Sequence, residues 1–166
     1  MPSDIEKALF QTALRYLGYR DRFKKEIETR LKKEIIKRKF PEESLNLIPS
    51  ILTKLEKAGL INDPELIGVY IKTQQESKLR GPYFIKQKLL QMGAPRELID
   101  SAIKEICTQE SQEIAIEKLL KKHKPDLQDF KARNKFQRFL MYRGFNSIFC
   151  QSKIVKYRNL TKTTKK

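Results

Sequence analysis

A ten-residue phrase occurs twice in this chain, and an internal repeat constrains a fold more than any single residue does. One copy is Phe84-Ile85-Lys86-Gln87-Lys88-Leu89-Leu90-Gln91-Met92-Gly93; the other is Lys135-Phe136-Gln137-Arg138-Phe139-Leu140-Met141-Tyr142-Arg143-Gly144. A shift of 51 residues superposes Ile85 on Phe136, Leu89 on Leu140, Gly93 on Gly144 and Ile103 on Ile154. Each copy reads as a helix with apolar residues four apart, ended by a glycine free to take the left-handed conformation. A second helix follows each. A fainter third copy precedes them, with Ile27 and Leu31 matching Ile85 and Leu89 at a shift of 58. Repeats of this period imply helical units that bury their apolar faces against each other. An extended array of this kind suits a long partner better than a small substrate.

Prolines and glycines mark the units. Pro2, Pro41, Pro49, Pro64, Pro82, Pro95 and Pro125 all fit at or just before a first helical turn, where a missing N–H has no partner to lose. Gly18, Gly59, Gly93 and Gly144 fit helix ends. Helices are predicted at 3–17, 22–38, 42–58, 64–79, 82–92, 95–107, 111–123, 127–143 and 146–158. Pro49 predicts that the third begins as a separate turn at Pro41 and starts properly near Ile48. Apolar stripes run along Phe23, Ile27, Leu31 and Ile35, along Ile51, Leu52 and Leu55, and along Leu98, Ile99, Ala102, Ile103 and Ile106. The fold class is therefore all-α: three tandem three-helix repeats, 1–62, 63–108 and 109–158, in an elongated curved array. Residues 159–166 read as a flexible basic tail with no means of packing.

Charge points to the partner. The formal net charge is +16, and it is unevenly placed. Residues 130–166 hold eleven Lys or Arg and no acid, leaving 25 basic and all 20 acidic residues to the first 129. A solvated surface needs no such asymmetry, so the acid-free stretch reads as a binding surface for an acidic polymer or protein. Two clusters stand out. Lys78, Arg80, Lys86 and Lys88 surround the start of the fifth helix; Arg133, Lys135, Arg138, Tyr142 and Arg143 run along the eighth. Lys131, Lys135, Arg138 and Tyr142 share one helical face away from Phe136 and Leu140, and Lys153 adds a cation on the ninth helix. Tyr83 and Tyr142 suit base stacking, a protein pocket or a core edge alike.

Catalytic signals are weak. His123 is the single histidine and sits among Lys121, Lys122 and Lys124, a surface setting. No spacing suits a metal and no glycine-rich loop suits a phosphate, so no cofactor is expected. Glu42-Glu43 and Asp63-Pro64-Glu65 place favourable charge at helix starts. Cys107 and Cys150 lie among apolar residues and read as small buried hydrophobes. Ser3 and Glu6 have capping-box spacing, which starts a helix where a secretory signal would lie, and no apolar run is long enough to span a membrane. A cytoplasmic monomer is expected.

The chain also resembles the RecX family, bacterial regulators of the RecA recombinase, from about Ala8 to Tyr157. The resemblance rests on Lys135 through Phe145, on Gly81-Pro82 through Gly93, on the junction Gly59-Leu60-Ile61-Asn62-Asp63, and on Arg20-Asp21 and Glu26. Two positions depart from the pattern: Phe23 stands where the family places a capping Ser, with Asp21 as the candidate replacement cap, and Leu66-Ile67 where it favours Phe-Ala. The resemblance implies binding within the groove of a RecA–DNA filament and inhibition of its ATPase, strand-exchange and coprotease activities, hence a place in recombination, repair and the SOS response. The alternative from charge alone is a helical protein that binds single- or double-stranded DNA through phosphate contacts without RecA.

Overall fold

The computed structural model describes residues 3–163; Pro2 and residues 164–166 of the expected tail lie outside the described residues. Among these residues there is no strand, and nine α-helices follow one another: α1 Asp4–Leu17, α2 Lys24–Lys37, α3 Ile48–Lys57, α4 Asp63–Glu76, α5 Pro82–Gln91, α6 Arg96–Ile106, α7 Gln109–His123, α8 Phe130–Tyr142 and α9 Ser147–Thr163. The proline at position 49 acts as predicted. A 3-10 stretch, Glu42–Leu47, follows Pro41, and the α-helix proper begins at Ile48 with Pro49 in its first turn.

Two compact bodies form. Of the described residues, the first comprises 3–67 with 90–98, the second 68–89 with 99–163. In the first, α1 packs on α2 and α3 around Leu9, Ala13, Ile27, Leu31, Ile51 and Leu55, all with no exposed surface. Phe23 joins Ile27, Leu31 and Ile35 in the interior, as its stripe predicts. In the second, α8 packs on α9, and Ile116, Phe136, Leu140, Cys150 and Ile154 are buried together. The repeat positions agree between copies: Ile85, Leu89, Phe136 and Leu140 are all buried, and Gly93 and Gly144 have φ of +84° and +95°. The stripe on α6 fits less well, since Ile99 is buried but Leu98 is 37% exposed.

Helix starts show which sequence signals were local. The Ser3 hydroxyl accepts the Glu6 N–H at 3.1 Å, while the Glu6 carboxylate turns to Lys54 Nζ at 2.6 Å. For α2, Asp21 is not the cap. Phe23 occupies the cap position without a side-chain acceptor; Glu26 Oε2 accepts its N–H at 3.1 Å, and Asp63 Oδ1 accepts the N–H of Lys24 at 2.9 Å. Phe23 thus gives up a local cap for burial, and a carboxylate 39 residues away supplies the acceptor. Helix α8 starts at 130 instead of 127, because Asp126 first closes a turn onto Gln128 N–H and Asp129 then caps Ala132 N–H at 2.6 Å. Helix α9 runs on to Thr163, five residues past the predicted end, since no glycine or proline stops it.

Candidate functional site

The strongest candidate surface is built on α8. Phe136 and Leu140 turn inward, which forces Lys131, Lys135, Arg138 and Tyr142 outward on the opposite face. All four are exposed, Tyr142 by 80%, and among the described residues none makes a hydrogen bond, ion pair or ring contact. Arg133 is held differently: its Nη1 donates to the Leu127 carbonyl at 3.1 Å and its guanidinium lies 5.5 Å from the centre of the exposed Phe130 ring.

The second cluster meets the end of this helix through the backbone. Gly81 N–H donates to the Arg143 carbonyl at 2.8 Å, and Tyr83 N–H to the Gly144 carbonyl at 3.1 Å. Side chains are excluded on both sides. A Cβ on Gly81 would lie 2.3 Å from Gly144 C, and one on Gly144, at its left-handed φ, 2.3 Å from Phe84 N. This clasp sets the two basic clusters, remote in sequence, beside each other. On the α5 side, Arg80 stacks 4.2 Å over the Phe84 ring and Lys88 lies 5.9 Å from the same ring. Lys86 is paired with Asp100 at 2.5 Å. Lys78 and Tyr83 are exposed.

Two residues expected on the binding surface face inward. Arg143 donates through Nε to the Leu79 carbonyl at 2.9 Å and through Nη2 to the Lys78 carbonyl, with its guanidinium 5.4 Å over the Phe139 ring. Leu79 has a φ of +52°, a conformation costly for a branched residue, and Arg143 holds the turn that contains it. Burial, with Arg80 nearby, lowers the Arg143 pKa. Lys153 is buried, paired with Glu113 of α7 and placed 5.1 Å over the Phe149 ring. Both cations are used within the fold because each faces a neighbouring element instead of solvent.

A cation-rich region that sequence reading passed over lies in the first body. Arg15 of α1 and Lys33 and Lys37 of α2 are exposed. Among the described residues Arg15 and Lys33 have no intramolecular partner, and Lys37 makes no hydrogen bond or ion pair but acts electrostatically on the Glu34 carboxylate. Acidic neighbours in the sequence, Glu26, Glu28 and Glu34, conceal this group in any running charge count.

The remaining reactive groups are occupied by packing. Burial pushes the thiols of Cys107 and Cys150 up to about 11, so neither is a ready thiolate. The His123 ring packs 4.7 Å from that of Phe139. Among the described residues no cluster of His, Cys, Asp and Glu is arranged to hold a metal ion, and no helix is long and apolar enough to cross a membrane.

Comparison with known proteins adds the lineage. Residues 110–147, which include α8, match the family description "RecX, third three-helix domain". The regulatory protein RecX of Listeria welshimeri is 31% identical over 147 residues, covering 87% of this chain and 52% of that protein. That of Streptococcus agalactiae is 30% identical over 133 residues, covering 80% of this chain and 49% of its own length. The chain thus spans about half the length of these curated relatives. The crystal structure of RecX from Lactobacillus salivarius superposes with a TM-score of 0.77 at 26% identity, over 95% of this chain and 98% of that one. All-helical order, a repeated helix-and-glycine phrase and these likenesses agree: the chain belongs to the RecX family.

Proposed function

We propose that this protein binds the RecA filament on DNA, in its groove, and restrains the filament's ATP hydrolysis, strand exchange and coprotease activity. One observation carries the reading: the acid-free face of α8, with Lys131, Lys135, Arg138 and Tyr142 exposed and unpaired, lies in the segment that matches the family's third domain. The clasp brings Lys78 and Arg80 to the same neighbourhood, which enlarges the cationic area. Unpaired cations of one sign raise self-repulsion unless a polyanion neutralises them. The relatives bear the name of a regulatory protein, which fits a binding role without chemistry. We read the chain as three three-helix repeats, 1–62, 63–108 and 109–158, acting as a monomer in the cytoplasm.

The deciding experiment follows DNA-dependent ATP hydrolysis by cognate RecA while this protein is added at less than one copy per RecA. Inhibition of ATP turnover and strand exchange is expected. Full activity at saturating protein would sink the reading. The same unpaired face on α8 also fits phosphate alone, which supports a second reading as a plain nucleic-acid-binding protein. Equal affinity for bare and RecA-coated DNA, at low and physiological salt, would favour that one.

A further inference from the structure

The two cationic regions differ in kind. The outward face of α8 is free of acid, so each of its cations is available to neutralise a phosphate. The cleft between α1 and α2 interleaves both signs and is framed, not merely lined, by charge. Its volume is about 280 Å³. Glu34 lies at its base with a side chain 6% exposed, accepting from Arg38 Nε at 2.6 Å and standing 3.5 Å from Arg30 Nη2. The Arg38 hydrogen bond holds the Glu34 carboxyl below the usual carboxylate range in spite of its burial. Glu34 therefore stays ionised; it holds the Arg38 guanidinium by a hydrogen bond and attracts that of Arg30 without one, and the remaining N–H groups of both stay available. Arg30 also lies 5.9 Å over the Tyr16 ring, whose centre is 4.1 Å from the Arg22 guanidinium. Around this held frame stand Arg15, unpaired, Lys37, exposed and close enough to Glu34 to favour its charged form, and Tyr19, 85% exposed.

We infer that the α1–α2 cleft docks an acidic segment of a protein partner, and that nucleic-acid phosphate is met on α8 instead. Pre-positioned guanidiniums match carboxylates in paired geometry, and their ordering has been settled before the partner arrives. Tyrosine and arginine are both enriched among the residues that anchor protein interfaces, and the cleft presents both. The extent of the site decides against a nucleic-acid strand. Arg15, Arg30, Lys37 and Arg38 surround one local recess, whereas the cations of α8 run along an acid-free helix, so the cleft suits a short run of carboxylates and α8 a strand.

Applied to a filament, this assignment rests on the RecA-binding proposal, so its test has an arm that needs no RecA. The labelled 166-residue chain is titrated with poly-L-glutamate and, separately, with a short oligothymidylate, while backbone amide signals are followed by NMR. Poly-glutamate is expected to shift the signals of Arg15, Tyr19 and Lys37, and the oligonucleotide those of Lys131, Lys135 and Arg138. The triple variant Arg15→Gln, Lys33→Gln, Lys37→Gln should bind poly-glutamate about tenfold more weakly. It should keep its affinity for the oligonucleotide within about twofold and lose about tenfold on RecA-coated DNA. The inference is overturned if poly-glutamate leaves the α1–α2 signals in place, or if the oligonucleotide moves them as strongly as those of α8. Wild type that ignores RecA-coated DNA would count against the filament reading alone, and the poly-glutamate result would still decide the cleft.

Discussion

Asp63, the first residue of α4, accepts the backbone N–H of Lys24, the first residue of α2, at 2.9 Å. The carboxylate is buried, and desolvation raises its pKa more than the Lys24 hydrogen bond lowers it. The folded state therefore holds the Asp63 proton more tightly than the unfolded chain does. Its contribution to stability is full below the unfolded carboxyl range, about pH 4, and is lost as pH rises through the folded value. Asp63→Asn keeps an acceptor oxygen and removes the titration. In urea melts across that range, the wild type should lose ground to Asp63→Asn as pH increases. A pH-independent difference would refute burial as the dominant effect. Asp63→Ala leaves the N–H unpaired and should cost about 0.5–2 kcal/mol, the usual range for a missing cap.

The clasp predicts an unusually costly methyl group. Gly144→Ala adds a Cβ 2.3 Å from Phe84 N and forces alanine to a φ of +95°. The left-handed backbone alone costs about 1–2 kcal/mol, and the collision with main chain adds to it. Thermal melts should show a larger loss than for Gly59→Ala, where φ is +70° but nothing lies within 4 Å of the added Cβ. Equal losses would mean that the clasp contributes nothing beyond backbone strain.

Leu89 and Leu140 hold the same position of the repeat, and both are fully buried. Truncation of either to alanine should cost about 2–5 kcal/mol. A loss below about 0.5 kcal/mol in denaturant melts, the size expected of a surface change, would contradict the shared register.

Arg138 and Arg143 lie five residues apart but should fail in opposite ways. Replacing Lys131, Lys135 and Arg138 together with Gln should leave stability within about 1 kcal/mol, as for exposed charges. Binding to single-stranded DNA should weaken, with the salt slope falling by about 0.7 for every phosphate that the variant no longer neutralises. Arg143→Gln should instead lower the melting temperature, because it strips the donors from the Lys78 and Leu79 carbonyls. A stable Arg143→Gln variant with weakened DNA binding would return that residue to the binding surface.

What sequence could reveal tracks the distance over which each interaction acts. Pro41 and Pro49 located the break before α3, and Gly93 and Gly144 the ends of α5 and α8, because backbone restrictions are local. Ser3 was legible for the same reason. The Phe23 cap was not: its replacement comes from Asp63, and no local pattern links those positions. Lys153 looked like one more cation in a basic run, and only packing against α7 shows that Glu113 has taken its charge. The cations of the α1–α2 cleft escaped for the converse reason. Their acidic neighbours cancel them in a running count, while in space Glu34 is already engaged by Arg30 and Arg38.

The joint between Gly81 and Gly144 also limits how this protein can change. A side chain on either glycine would collide with main chain, at Gly144 for Gly81 and at Phe84 for Gly144, so no second substitution can make room for a first. Most packing arrangements can be retuned by enlarging one partner and trimming the other. Here there is nothing left to trim. Drift at these two positions is closed from both sides, and the lineage can keep this joint or abandon it but cannot rework it one residue at a time.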